Sequence, residues 1–387
     1  MRKNNKIPYF KIQLPFKVRY PVLAMGSHTK NTLCFLKGEF AYISPVHPAL
    51  DEPESFLSFE KEAKAFLRQG PKLIAYDLHP DYQSTKYALG LPPATYRLLP
   101  VQHHHAHIAS CMAENRLRNQ KVIGVAFDGT GLGEDGAIWG AEFLLCDYQN
   151  CTRVAHLKEI PLLGGERAIL EPWRLACLWL YRIYKDDFLS FNIDFIKKIP
   201  AKNWGILKNL YLSGFNFPLA SSMGRFFDAA ASIILAQKEA RFEAELAIKL
   251  QKSAVSWHRN EKPYNFKIVS SKGSYIIDPS FVFRQVVRDL EKRKDREKIA
   301  YKFHLTAAEM VLKVCLILRE KYGINKVALS GGVFQNNLLL TKTLNLLGDK
   351  GFSVFTHKSL SSGDSSLSLG QAVVANFSRK DSLADRS

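Results

Sequence analysis

One pattern restricts the fold of this chain more than any other: a short strand, a polar or Gly-rich turn and a second strand, met twice about a hundred residues apart. Residues 22–26 form an apolar run, a polar turn follows at 27–32, and a second strand-like run at 33–36 completes a β-hairpin. At 121–127 a strongly apolar strand runs into Asp128-Gly129-Thr130-Gly131, and a second strand follows at 137–146. Each hairpin heads an α/β succession. After the first come helices near 53–68, 82–89 and 106–117, interleaved with strands at 72–76 and 96–101. After the second comes a mainly helical segment, 162–303. The chain then ends in a strand at 326–329, a Gly-Gly turn, a helix from about 336, a strand at 352–355 and a helix at 367–376. Two hairpin-led halves predict a duplicated α/β fold with a cleft between lobes. Sequence identity between the halves is negligible, so the duplication rests on pattern alone.

No low-complexity linker divides the 387 residues, and 47% hydrophobic content is enough to bury a large core. The expectation is one bilobed unit: a basic leader at 1–15, a first lobe at 16–118 joined by the C-terminal helix at 363–378, a second lobe with a helical insertion at 119–362, and a tail at 379–387. No stretch reaches the ~20 apolar residues of a membrane span, and the N-terminus lacks the apolar core of a secretory signal. Cys34, Cys111, Cys146, Cys151, Cys177 and Cys315 are scattered, with no CxxC pair. They read as reduced core thiols of a cytoplasmic protein. The charge is the unusual number, with 54 Lys+Arg against 36 Asp+Glu giving +18. Its densest run, 284–302, interleaves eight basic with four acidic residues and reads as a solvated helix face, so charge selects no partner.

The strongest local signal is Val101-Gln102-His103-His104-His105-Ala106-His107. On a helix His103 and His107, four apart, share a face and can chelate one divalent ion. A two-His site needs carboxylates, and the candidates stand at strand ends. Asp128 follows an apolar strand among Gly129, Gly131 and Gly133, whose small size lets backbone approach a ligand and offers N–H groups to phosphate. Asp364, in Ser361-Ser362-Gly363-Asp364, precedes the last helix and by itself reads as its cap. Ser330-Gly331-Gly332-Val333-Phe334-Gln335-Asn336 opens a helix after a buried strand, as a phosphate- or nucleotide-binding turn does. Ser222-Met223-Gly224-Arg225-Phe226-Phe227-Asp228 is a second small-residue turn. Asp228 there is a candidate for a ribose hydroxyl, or simply an exposed first-turn acid. There is no hydrolase elbow and no Walker lysine loop, and no cysteine stands in an electropositive turn.

Taken in order, seven stretches resemble one family: Leu23 to Thr32, Tyr76-Asp77-Leu78-His79-Pro80-Asp81-Tyr82, Val101 to His107, Glu171-Pro172-Trp173-Arg174, Ser221 to Asp228, Ser330 to Asn337, and Ser368-Leu369-Gly370-Gln371-Ala372. They are similar to the C-terminal carbamoyltransferase domain of HypF, the nickel-iron hydrogenase maturation protein, over about residues 16–378. The resemblance implies the sugar-kinase/Hsp70/actin fold, two ribonuclease-H-like lobes around a nucleotide cleft. It implies His103, His107, Asp128 and Asp364 as ligands of a divalent metal (iron, zinc or magnesium). Gly129, Gly131, Gly224, Asp228, Gly331, Gly332 and Asn336 would line a site for ATP or carbamoyl adenylate. The implied reaction moves a carbamoyl group from the adenylate to the C-terminal cysteine of HypE, releasing AMP, with Lys30 and His28 as candidates to steer or deprotonate that thiol. For His28 a surface-turn role is the stronger reading.

The family's acylphosphatase, zinc-finger and YrdC-like domains find no counterpart here, so a YrdC-like protein or domain is expected to supply the adenylate. Two stretches depart from the family: Gly363-Asp364-Ser365-Ser366 stands for Asn-Asp-Gly-Gly, and Arg241 to Glu245 for a Tyr-Glu-Gly stretch. Three other readings stay open. A TsaD-type tRNA threonylcarbamoyl transferase would use the positive charge on RNA, although nucleic acid is not the expected partner. A small-molecule O-carbamoyltransferase would modify a soluble alcohol. A silent scaffold would bind neither metal nor adenylate.

Overall fold

The computed structural model describes residues 9–378. Both hairpins form, and each founds a sheet of the same topology. In the first, Val22–Ala24 pairs antiparallel with Cys34–Lys37, which pairs antiparallel with Phe40–Ile43. On its other side Val22–Ala24 runs parallel to Leu73–Asp77, and that strand runs parallel to Arg97–Val101. In the second, Val122–Leu132 pairs antiparallel with Ile138–Cys146, which pairs antiparallel with Cys151–Leu157. Val122–Leu132 then runs parallel to Lys326–Ser330, which runs parallel to Ser353–Phe355. Three antiparallel strands followed by two parallel ones, twice, is the ribonuclease-H-like repeat.

Two helices lie between the sheets. His103–Glu114 packs on the second sheet, and Leu367–Phe377 crosses back onto the first. Strands covered on both faces send alternate side chains to different cores. Val122 and Ala126 point to the core shared with the two helices, whereas Ile123, Val125 and Phe127 face the helical insertion. On the outer face of the first sheet Leu23, Phe35 and Ile74 pack against Phe59 and Phe66 of the Pro53–Leu67 helix. The insertion contributes Met223–Leu235, Ser280–Glu291 and the long Arg296–Tyr322 helix.

Several local expectations are corrected. The histidine-bearing helix begins at His103 rather than near 106, because the Gln102 side chain accepts the His105 N–H at 2.8 Å and caps it. The Val122 strand does not stop before Asp128 but runs through Leu132, paired with Ile138–Cys146 across a register shift. Within the expected leader, Phe10–Gln13 forms an edge strand on Phe40–Ile43; residues 1–8 and the expected tail at 379–387 lie outside the described residues. The six thiols are not all separate. A four-residue turn brings Cys146 opposite Cys151, and the two are joined as a disulfide. The other four are buried and free.

Candidate metal centre and cleft

Helical periodicity places His103 and His107 on one face, and the second sheet aims Asp128 at it. His107 Nε2 lies 3.2 Å and His103 Nε2 3.4 Å from Asp128 Oδ2. Asp364 Oδ1 closes the group at 3.7 Å from His107 and 3.9 Å from His103. One donor atom from each of the four residues falls within 4.8 Å of the others. Asp364 therefore does not serve as a cap. Its side chain makes no capping bond, and a short 3-10 turn at Asp364–Ser366 turns it toward the histidines. His103 Nε2 is buried and has no hydrogen-bond partner. Two imidazoles, two carboxylates and an orphaned ring nitrogen fit a divalent cation.

Each ligand is held from behind. His103 Nδ1 meets Asp77 Oδ2 at 2.8 Å, the carboxylate–histidine arrangement that orients a metal-binding ring. Asp128 Oδ1 accepts the N–H of Gly129 at 2.8 Å and of Gly332 at 3.1 Å, leaving Oδ2 for the centre. Phe127 stacks on Phe334 (centroids 5.3 Å apart, 3° between planes), fixing the Gly331-Gly332 turn beside Asp128. His107 Nδ1 lies 3.4 Å from Ser330 Oγ, which meets His357 Nε2 at 2.9 Å, and His357 Nδ1 meets Glu114 Oε2 at 2.7 Å. The other Glu114 oxygen accepts the N–H groups of Lys358, Ser359 and Leu360.

The electrostatics follow from this crowding. Burial disfavours a charged His103, yet the carboxylates of Asp77, Asp128 and Asp364 together raise its pKa. Burial lowers that of His107. Asp128 is buried too, but its contacts with His103 and His107 hold it well below the usual carboxylate range. Asp364 is pushed up by burial and by Asp128. A proton on His103 thus partly neutralises three carboxylates, the task a divalent cation performs more fully.

Glu114 permits a test of the outer chain. Despite desolvation, bonds from His357 and the backbone lower its pKa to about 2. A depressed carboxylate stabilises the fold above its unfolded pKa of ~4.3, and that stability is lost as pH falls toward the folded value. Glu114→Gln is expected to be less stable than the parent above pH ~4.5, the difference shrinking as pH falls toward ~2. Urea titrations at a series of pH values read it.

Asp128 and Asp364 of the candidate centre line a cleft of about 700 Å³, within the size range of small-molecule sites. Among the sequence candidates, His28, Lys30, Asp128, Gly129, Gly224, Asp228, Gly332, Asn336 and Asp364 line it. Gly224 is required there, since a Cβ would come within 2.9 Å of Gly129 Cα. Asp228 is not an exposed acid: it is buried against Arg225 Nη2 at 2.8 Å, and burial raises it to about 6. Asn336 caps the Asn337–Asp349 helix and reaches His304 Nε2 at 3.0 Å. His28 is engaged at both ring nitrogens, by Asp51 at 2.9 Å and the Gln83 N–H at 3.3 Å. Lys30, with φ 49°, has no ion-pair partner among the described residues.

Two expected ligand-facing glycines lie outside the cleft lining. Gly131 packs under the rings of His103 and His104, and Gly331 (φ 101°) against the Phe127 backbone, where a Cβ would lie 2.2 Å from the carbonyl oxygen. Both are small for close packing. Asp77, Ser330, His357, Glu114 and Arg225 were not among the sequence candidates. Asp77 had a usable signal, because it ends a buried strand as Asp128's apolar run does. His357 and Glu114, 243 residues apart, had none.

Two ribonuclease-H-like lobes with a cleft between them define a protein of the sugar-kinase/Hsp70/actin class. Comparison narrows this further. Residues 17–114 match the HypF Kae1-like domain and residues 124–371 the carbamoyltransferase, Kae1-like domain, second subdomain. The chain belongs to the HypF carbamoyltransferase family. It is 36% identical to carbamoyltransferase HypF of Synechocystis sp. across 94% of this chain and 48% of that protein. It is 34% identical to a carbamoyltransferase HypF homolog of Cupriavidus necator across 92% of this chain and 91% of that protein. The crystal structure of full-length HypF in its phosphate- and nucleotide-bound form superposes with a TM-score of 0.88 at 38% identity, over 95% of this chain and 47% of that one. HypF of T. kodakarensis gives 0.83 at 31%, over 97% and 49%. The chain thus spans about half the length of most of these relatives. No helix among the described residues is long and apolar enough to cross a membrane.

Proposed function

We propose that this protein transfers a carbamoyl group from carbamoyl adenylate to the C-terminal cysteine of HypE, with release of AMP, in building the cyanide ligand of nickel-iron hydrogenase. The observation that carries the reading is the continuity of one cleft from the two-His, two-Asp centre to the Gly129, Gly224 and Gly332 turns. His103, His107, Asp128 and Asp364 would hold the divalent cation. When bound it supplies Lewis-acid stabilisation of the charge that develops on phosphate and carbamoyl oxygens. Imidazole donors favour iron or zinc over magnesium there.

The Gly129 and Gly332 turns bring backbone close to the adenylate phosphate, and buried Asp228 faces its sugar. Lys30, unpaired at the cleft wall, attracts the incoming thiolate and the anionic nucleotide. The thiolate sulfur attacks the carbamoyl carbon, a C–S bond forms, the bond from that carbon to the phosphate oxygen breaks, and AMP departs with the electron pair. An external nucleophile explains why no cysteine lines the cleft. A YrdC-like protein or domain supplies the adenylate. The test combines the protein with radiolabelled carbamoyl phosphate, ATP, HypE and a YrdC-type partner. Label is expected on HypE, and its absence with active partners refutes the assignment.

A further inference from the structure

Away from the cleft a second group of metal-binding side chains comes together. Cys146 ends the Ile138–Cys146 strand and Cys151 begins Cys151–Leu157, so the pair stands directly across the hairpin with Cα atoms 4.3 Å apart. The intervening turn is fixed by Asp147, whose Oδ1 accepts the N–H groups of Gln149 at 2.7 Å and Asn150 at 2.8 Å. His105 reaches this corner from the helix that bears His103 and His107, and its Nε2 donates to the Asp147 carbonyl at 2.7 Å. A ring nitrogen of His105 and the two sulfurs lie within 4.8 Å of one another. His105 and Cys146 are buried, while Cys151 is only partly so, which gives access from solvent.

Two sulfurs and an imidazole are the donor set of thiophilic divalent cations, Zn²⁺ above all, with a solvent molecule completing four-coordination. A histidine that gives one ring N–H to a backbone carbonyl is oriented as metal-bound histidines are. The site is separate from the His103/His107 centre, whose donors include no sulfur. We propose that the reduced Cys146–Cys151 pair and His105 bind one such cation. Since the sulfurs are joined here, binding follows reduction. Two equivalents of a thiol reductant break the S–S bond, supply two electrons and two protons, and leave as their own disulfide. The cation then forms two metal–thiolate bonds and displaces those two protons.

Cobalt(II) reports this site selectively, because only thiolate ligation gives intense charge-transfer absorption in the near ultraviolet. The full chain, stripped by a chelator, reduced with a phosphine and desalted without oxygen, is titrated with Co²⁺. The charge-transfer band is expected to saturate by two added equivalents, since the His103/His107 centre also takes Co²⁺, and at one equivalent in the His103→Ala/His107→Ala variant; it vanishes when Zn²⁺ is added or the pair is oxidised. A Cys146→Ser/Cys151→Ser variant loses the band, a His103→Ala/His107→Ala variant keeps it, and His105→Ala weakens this binding at least ~10-fold. In the unaltered chain, Zn²⁺ protects Cys146 and Cys151 from alkylation, read by mass spectrometry, a measurement independent of how any variant folds. Absence of the band in reduced protein, its survival in the double serine variant, or alkylation unaffected by Zn²⁺ overturns the proposal. Undiminished affinity in His105→Ala overturns the three-donor site.

Discussion

A His103→Ala/His107→Ala variant is expected to lose its divalent cation while keeping its fold. Both imidazoles point at Asp128 and Asp364, so the double change removes half of the donor set at once. Loss of one outer-shell partner ordinarily costs ~10–100-fold in metal affinity, and loss of two direct ligands costs more. Alanine at these positions leaves Asp128 and Asp364 facing each other without compensation, so the variant is expected to lose carbamoyl transfer too. Metal content by mass spectrometry after purification, with calorimetric titration for the affinity, measures it. A variant that kept a stoichiometric cation at this centre would refute the ligand assignment.

Gly370→Ala is expected to be the most damaging single-methyl change in the protein. Gly370 of the Leu367–Phe377 helix abuts the backbone of Ala106, and a Cβ there would lie 1.7 Å from the Ala106 carbonyl oxygen. The obstacle is helix backbone, so relief requires the two helices to separate. Overpacking of a well-filled core costs ~1–3 kcal/mol and more where backbone must move, so we expect ~3 kcal/mol or more and a Tm lower by several degrees. Ala106 lies between His103 and His107, so the displacement also carries the metal ligands away from Asp128. Thermal unfolding and metal titration should therefore fall together. A Gly370→Ala protein of parental stability would refute the close crossing.

What could be read from the residues alone was whatever a short stretch of chain decides. Apolar runs and turn chemistry located both founding hairpins, and the spacing of His103 and His107 set them on one helical face. The errors came where distant chain decides. The Val122 strand reaches Leu132 because Ile138–Cys146 returns alongside it. Taken alone Asp364 reads as a helix cap, and only the family resemblance named it a ligand, because its partners at His103 and His107 lie more than 250 residues away. For Gly131 and Gly331 the residues alone do not separate the two uses of small size, a bound phosphate or the tight packing contact seen here.

The same division holds for the protein as a whole. The sequence by itself determined the duplicated α/β plan, the paired histidines and, through seven ordered motifs, the family. Periodicity and turn propensity are properties of neighbouring residues, so they survive without the fold. Only the tertiary structure decided that Asp128 and Asp364, already named through the resemblance, close on His103 and His107, that Asp77 and the Ser330–His357–Glu114 chain brace those histidines, and that Cys146, Cys151 and His105 share a corner. Those meetings depend on strand register and on how closely two helices cross, and packing of the whole core sets both.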